Sequence, residues 1–306
     1  MGNLSKFQKE TEIPSAIKKY LEDKDTNQAQ LGRDANVGEA YVSVILKGKT
    51  NIGRTQIKDK YYLALCNAIG YSIDVKIWRH FNTQNFKTII NELKKARQNK
   101  SRLVIDADTG AGKTYACKKY KQKYPNNTFV VKCLAIENSK EFAINIAEVV
   151  GVETHGTAGS IIKRVAKKLL SLDDVVLIID EAEHIGKKSG YINIIKSVAD
   201  LFEGKIAFVL LGMGISKILK TGFDKNKQNF RQTARRFSKR EECETNISED
   251  VIKICQELEL KKVVQAWFAN RMRNYDEFKV LVVEAIEEAK KLKQPVTVEL
   301  LNTLYQ

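Results

Sequence analysis

The sequence predicts an α/β protein: a parallel sheet covered by helices on both faces, with an all-α block before it and another after it. Three observations carry this. Between about Arg102 and Glu244, short β-branched apolar runs alternate with longer helical stretches, the pattern of strands buried on both faces and joined by crossover helices. The residues before about Ser72 and after Ser248 read as helices only. The chain has three prolines in 306 residues and abundant Lys, Glu, Leu and Ile, which favours helix.

In chain order, residues 1–74 form the first predicted domain, 75–245 the sheet domain and 246–306 the last helical domain. The stretch 82–100 reads as a helix leading into the sheet domain. Four strands are expected over 102–106, 128–133, 175–180 and 206–211, and a short fifth over 237–243 completes a five-stranded sheet. The helical stretches between them fall at 114–123, 140–150, 158–170 and 191–202.

The stretch "TNQAQLGRDANVGEAYVSVILKGK", residues 26–49, carries the spacing of two helices joined by a tight turn. Leu31, Val37, Val42 and Leu46 are the expected packing positions, and Gly32 lies where the helices must approach closely. Asn36 suits the left-handed turn conformation, and Thr26 or Asn27 suits a helix cap. The second helix would present Glu39, Tyr41 and Ser43 to a major groove, with Lys47 beyond it for phosphate. The pattern resembles the lambda-repressor-like helix-turn-helix family. Glu39 would accept from a cytosine amine or repel phosphate, so both a DNA-binding and a protein-binding reading stand.

The first expected strand runs into "ADTGAGKT", Ala107–Thr114, and then a helix. This is the GxxxxGK[ST] pattern with alanine at its first position. Amides from Asp108, Thr109, Gly110, Ala111, Gly112, Lys113, Thr114 and Tyr115 can wrap a β-phosphate at a helix N-terminus. Lys113 would neutralise phosphate charge and the Thr114 hydroxyl would ligate Mg²⁺. Ala107 can start the turn if its φ is negative. The third strand, "VVLIIDEAEHI", ends in Asp180 and Glu181 on the same edge of the sheet. Asp180 would hold Mg²⁺ through water, and Glu181 would activate the attacking water. "DEAEH" is one residue longer than a helicase DEAH box, and too little chain follows for a second nucleotide-binding lobe.

The loop, the DE strand and the helical tail together resemble the AAA+ P-loop ATPases, which bind ATP with Mg²⁺. The resemblance implies a polar sensor residue at the end of the fourth strand. Here Gly212 and Met213 stand there, which implies slow hydrolysis. It also implies a trans-acting arginine, for which Arg235 and Arg236 are the best placed, with a DNA-contacting role equally open. In the tail it implies a lid arginine, with Arg273 first and Arg271 second.

The formal charge of +15 points to a polyanion partner. Lys187, Lys188, Lys225 and Lys227 are the expected phosphate contacts outside the first domain. No apolar run approaches the roughly 20 residues that span a bilayer, so a cytoplasmic location without membrane contact is expected. The five cysteines form no CxxC pair and are expected to be buried thiols.

A helix-turn-helix followed by an AAA+ module carrying "LIIDEAEH" resembles the phage Mu B-like transposition proteins and their insertion-sequence helper relatives. The resemblance implies ATP-bound homo-oligomers or filaments on double-stranded DNA that deliver target DNA to a transposase in a bacterial or phage-infected cytoplasm. An initiator or helicase-loader role, and a nucleotide-gated helix-turn-helix transcription regulator, remain as alternatives.

Overall fold

The computed structural model describes Leu4 and residues 6–71, 77–186 and 189–305. By its contacts the chain divides into two compact units. One comprises residues up to His80 with Ile286–Pro295; the other comprises Phe81–Ala285 with Val296–Gln306.

The first unit holds α1 (Ile13–Asp23), α2 (Gln28–Asp34), α3 (Glu39–Leu46), a minimal hairpin of β1 (Asn51–Ile52) and β2 (Thr55–Gln56), and α4 (Asp59–Ala68). The hairpin adds to the helical block read from sequence. Leu31, Val37, Val42 and Leu46 all enter one buried cluster with Ile13, Ile17 and Tyr62. The α2–α3 turn forms as its residues dictate. Asn27 accepts from Gln30 N–H, Asn36 takes φ 51°, and a Cβ on Gly32 would stand 2.8 Å from the Val37 carbonyl oxygen.

The second unit begins with α5 (Gln84–Asn99). It continues through β3 (Arg102–Asp106), α6 (Lys113–Lys123), β4 (Thr128–Lys132), α7 (Ser139–Val150), α8 (Ala158–Leu170) and β5 (Val176–Asp180). After a 3₁₀ turn at Ala182–Gly186 come α9 (Ser189–Leu201), β6 (Ala207–Gly212), α10 (Ile215–Asp224), α11 (Phe230–Arg236) and β7 (Arg240–Glu242). The tail adds α12 (Ser248–Glu257), α13 (Lys262–Arg271), α14 (Tyr275–Lys291), which belongs to this unit as far as Ala285, and α15 (Val298–Leu304).

The sheet is wholly parallel in the order β4-β5-β6-β3-β7. Successive side chains of a strand alternate between its faces, and the core divides accordingly. Leu177, Ile179, Phe208 and Leu210 pack with α7, α8 and α9. Val176, Ile178, Val209 and Leu211 pack with residues of α5 and α6. This is the physical reason these strands read as continuous apolar runs rather than alternating ones. The observed strands match the expected ones to within a residue or so at each end, except that the fifth shortens to Arg240–Glu242. All five cysteines are buried free thiols, and burial pushes the Cys133, Cys243 and Cys255 thiols up to about 12.

Candidate functional site

Parallel strands bring their C-terminal ends to one edge, and the crevice there is where such sheets receive ligands. β3 delivers the loop Ala107–Gly112 to that edge, and α6 starts at Lys113. Gly110 and Gly112 take φ 72° and 85°, a conformation that costs side-chain-bearing residues free energy. Around Gly112 no heavy atom would meet an added Cβ within 4 Å, leaving room for an anion at the α6 N-terminus. Ala107 is not among the residues of positive φ. Its N–H donates to the Gly212 carbonyl at 2.9 Å, so alanine fits the first position of the loop without strain.

Lys113 Nζ donates to the carbonyls of Ala107 at 2.9 Å and Asp108 at 2.7 Å. The ammonium therefore lies within the loop's own curve, where a phosphate would replace those carbonyls as its partner. Thr114 Oγ1 donates to Asp180 Oδ2 at 2.8 Å, joining α6 to the end of β5. Asp180 is 2% exposed. Burial raises its carboxyl above the usual carboxylate range, opposed by the Thr114 hydroxyl and the Glu181 amide that donate to it. A hydroxyl and a buried carboxylate beside an open phosphate position are oxygen donors suited to Mg²⁺. These residues fit a nucleotide–Mg²⁺ pair, which would supply the γ-phosphate and neutralise its charge.

Glu181 takes φ 57°. Its Oε1 accepts from Lys132 Nζ at 2.9 Å and its Oε2 lies 3.9 Å from His184 Nε2. Lys132 stands opposite Asp180 in the β4–β5 register, which is why it reaches the residue after Asp180. Sequence reasoning missed Lys132. The available signal was a charged residue closing the apolar strand "TFVVK" at the functional edge. It also missed Glu183, whose Oε2 accepts from the Met213 N–H at 3.2 Å. Met213, 45% exposed, receives the Thr109 hydroxyl on its sulfur at 3.8 Å.

From the tail, Tyr275 N–H donates to the Gly110 carbonyl at 3.0 Å. A Cβ on Gly110 would stand 2.7–2.9 Å from atoms of the Asn274 side chain. The Tyr275 hydroxyl donates to Asp250 Oδ2 at 2.7 Å, which also accepts from Gln84 N–H. Asn274 and Tyr275 thus bring the tail against the loop at Gly110. Arg273 is exposed and makes no hydrogen bond or ion pair with the loop among the described residues, and Arg271 lies over the Trp267 ring at 4.5 Å. Tyr115 is 42% exposed, with its ring 6.0 Å from that of Phe86.

The two arginines of α11 differ. Arg236 Nε donates to Asp200 of α9, while Arg235 is exposed. Neither bonds to its own chain's phosphate loop among the described residues. Lys225 and Lys227 are exposed beyond α10, and Lys187 and Lys188 lie outside the described residues. In the first unit, Glu39 opens α3 and is exposed, Ser43 is half-buried and Lys47 is exposed at its end. Tyr41 stacks on Tyr61, with ring centroids 4.4 Å apart. Among the described residues no helix is long and apolar enough to cross a membrane.

The wholly parallel sheet, the glycine loop that opens a helix after β3 and the carboxylates that close β5, with β6 between the two strands, define a class of fold, the α/β P-loop AAA-like fold. Consistent with that, residues 95–220 match a family model described as "AAA domain". Within the class, the chain is similar to the Mu-like prophage FluMu DNA transposition protein B of Haemophilus influenzae. The two are 26% identical over 172 residues, which cover 55% of this chain and 59% of that protein. The match thus spans about three-fifths of the relative's length. Two solved structures share the fold. The Aeropyrum pernix ORC1 protein, in complex with DNA, gives a TM-score of 0.53 at 16% identity, covering 72% of this chain and 63% of that one. Domain III of the Thermotoga maritima replication initiation protein DnaA gives 0.51 at 15% identity, covering 75% and 93%.

Proposed function

We propose that this protein is an ATP- and Mg²⁺-dependent ATPase that assembles on double-stranded DNA and delivers target DNA to a transposase in the cytoplasm. The observation that carries the reading is the Thr114–Asp180 hydrogen bond at 2.8 Å. It joins the phosphate loop to a buried carboxylate in the geometry that a nucleotide-bound cation needs, in a chain similar to a transposition protein B. Lys113 would hold the β- and γ-phosphates, and Glu181 would take the proton of the attacking water. Arg235 is the better placed of the two α11 arginines to reach a neighbouring copy, since Asp200 already engages Arg236. In this reading residues 1–74, 75–245 and 246–306 serve as DNA- or protein-recognition domain, motor and lid. The formal charge of +15 supplies sequence-independent, salt-sensitive attraction to DNA.

DNA co-sedimentation with ATP, with ADP and with Lys113→Ala tests the coupling. ATP should favour co-sedimentation, and equal binding in all three arms overturns it. Deletion of residues 1–74 separates this reading from a nucleotide-gated regulator. The assembling ATPase keeps ATP-dependent non-specific binding, whereas a regulator loses specific binding.

A further inference from the structure

We propose that Glu183 is a positioning residue of the hydrolytic site, presented at the end of β6 although it belongs to the segment that follows β5. The inference rests on the ATPase reading above and assigns one further group to that site.

The end of β6 and the residues after it read Leu210-Leu211-Gly212-Met213-Gly214, with no side chain that accepts a strong hydrogen bond. The Glu183 carboxylate occupies that place instead. A Cβ on Gly212 would stand 2.1 Å from Glu183 Oε2, and 3.0 and 3.1 Å from the amide nitrogens of Ala182 and Glu183. Gly212 does not have positive φ, so close approach, rather than backbone conformation, is what glycine permits here. Glu183 Oε2 is fixed by the Met213 N–H, and Oε1 has no hydrogen-bond partner among the described residues. The Gly212–Met213 pair is in turn joined to the phosphate loop twice. Ala107 N–H donates to the Gly212 carbonyl, and the Thr109 hydroxyl meets the Met213 sulfur. The carboxylate is therefore anchored to the wall of the loop itself.

A water that attacks phosphorus directs a lone pair at it, so both of its O–H bonds point elsewhere. One acceptor leaves the molecule free to rotate; two fix it in the attacking orientation, and orientation is a large part of the barrier. Glu181 is the first acceptor and Glu183 supplies the second. In the step, the water oxygen bonds to the γ-phosphorus as the bond to the β–γ bridging oxygen breaks. The electron pair of that bond leaves on ADP, and the water's proton passes to Glu181. Glu183 accepts a hydrogen bond and takes no proton.

The test uses the full chain with ATP, Mg²⁺ and double-stranded DNA, reading kcat, KM and the melting temperature. Glu183→Ala should lower kcat by about 10²-fold, the lower end of what a positioned polar group contributes, with KM within about threefold. Glu183→Gln, which keeps an acceptor, should lose less. Gly212→Ala pushes the carboxylate aside and should lower kcat in the same way. Adding Met213→Asn to Glu183→Ala restores a polar group at the end of β6 and should recover kcat by about tenfold. A group that served only the fold would lower the melting temperature without such rescue. Turnover of Glu183→Ala within twofold of wild type overturns the inference, as does failure of Met213→Asn to recover any rate. Should Glu183→Ala not fold, Gly212→Ala decides by the same kcat criterion. Wild type without turnover overturns the ATPase reading, and the inference with it. Active wild type with an unaffected Glu183→Ala overturns the inference alone.

Discussion

β5 and β6 lie side by side in register, with Asp180 opposite Leu211, and every residue of both strands is buried. Their bodies are interchangeable in character, yet their ends are opposites. One closes on Asp180 and Glu181, the other on Gly212 followed by Met213 and Gly214. The difference shows that the apolar strand body sets only where its end arrives at the functional edge. The polar groups at that edge can come from a neighbouring segment, and glycine marks where one enters. The two loop glycines repeat the lesson. Both have positive φ, but the missing side chain of Gly110 is replaced by Asn274, whereas that of Gly112 faces open space.

The largest expected effect lies at the end of β5. Glu181→Gln removes the proton acceptor and should lower kcat by about 10²–10⁴-fold, leaving nucleotide affinity nearly intact. Single-turnover hydrolysis beside equilibrium nucleotide binding separates the two. A loss smaller than that of Glu183→Ala would reverse the ranking of the two carboxylates.

The loop glycines give the next effect. Gly110→Ala meets both an unfavourable φ and the Asn274 side chain, and should destabilise by about 1–3 kcal/mol. Asn274→Ala in the same chain should remove the steric part. Gly112→Ala carries the conformational cost alone, so Asn274→Ala should add to it without coupling. Urea melts of the two double-mutant cycles measure this. Equal coupling in both would mean that Asn274 does not distinguish the glycines.

Asp180 offers a smaller effect with a defined pH dependence. Burial raises its carboxyl, so the folded state favours the protonated form. The stability that this form supplies is fully present below the ordinary carboxylate range and is lost as pH rises through the raised value. Asp180→Asn stays neutral throughout. At neutral pH without nucleotide it should therefore be more stable than wild type by about 0.5–2 kcal/mol, a common cost of function in active sites. The difference should vanish in acid. Thermal melts at pH 7 and near pH 3 check it, and an Asn variant less stable at pH 7 would show that the Thr114 hydrogen bond outweighs the burial.

Strand positions were legible because a doubly covered strand has a single apolar signature, as in "VLIID". The phosphate loop and the α2–α3 turn were legible because glycine and asparagine stand there for backbone reasons that act locally. Lys132, Glu183 and Asn274 were not, because each acts on a residue distant in sequence or across a turn, through register or close approach. Such pairings exist only once β4 has paired with β5 and the tail has met the loop. Gly212 looked like a defect at a sensor position, and its neighbour's carboxylate was not visible in any local pattern.

The smallest expected effect is at the first loop position. Ala107→Gly restores the usual residue of the GxxxxGK[ST] pattern, yet nothing in the structure calls for it. Ala107 avoids positive φ and is 5% exposed within a core cluster. Its N–H and carbonyl are already engaged by Gly212 and Lys113. Glycine would loosen the unfolded chain and remove a packed methyl, so stability should fall by about 0.5–1 kcal/mol. Turnover should change by less than about twofold, since the loop amides that face a phosphate keep their places. A melt and a steady-state assay of this one variant decide it. A large gain in turnover would place the limiting defect in the loop and not at the end of β6, removing the reason for Glu183 to stand in for a polar residue there.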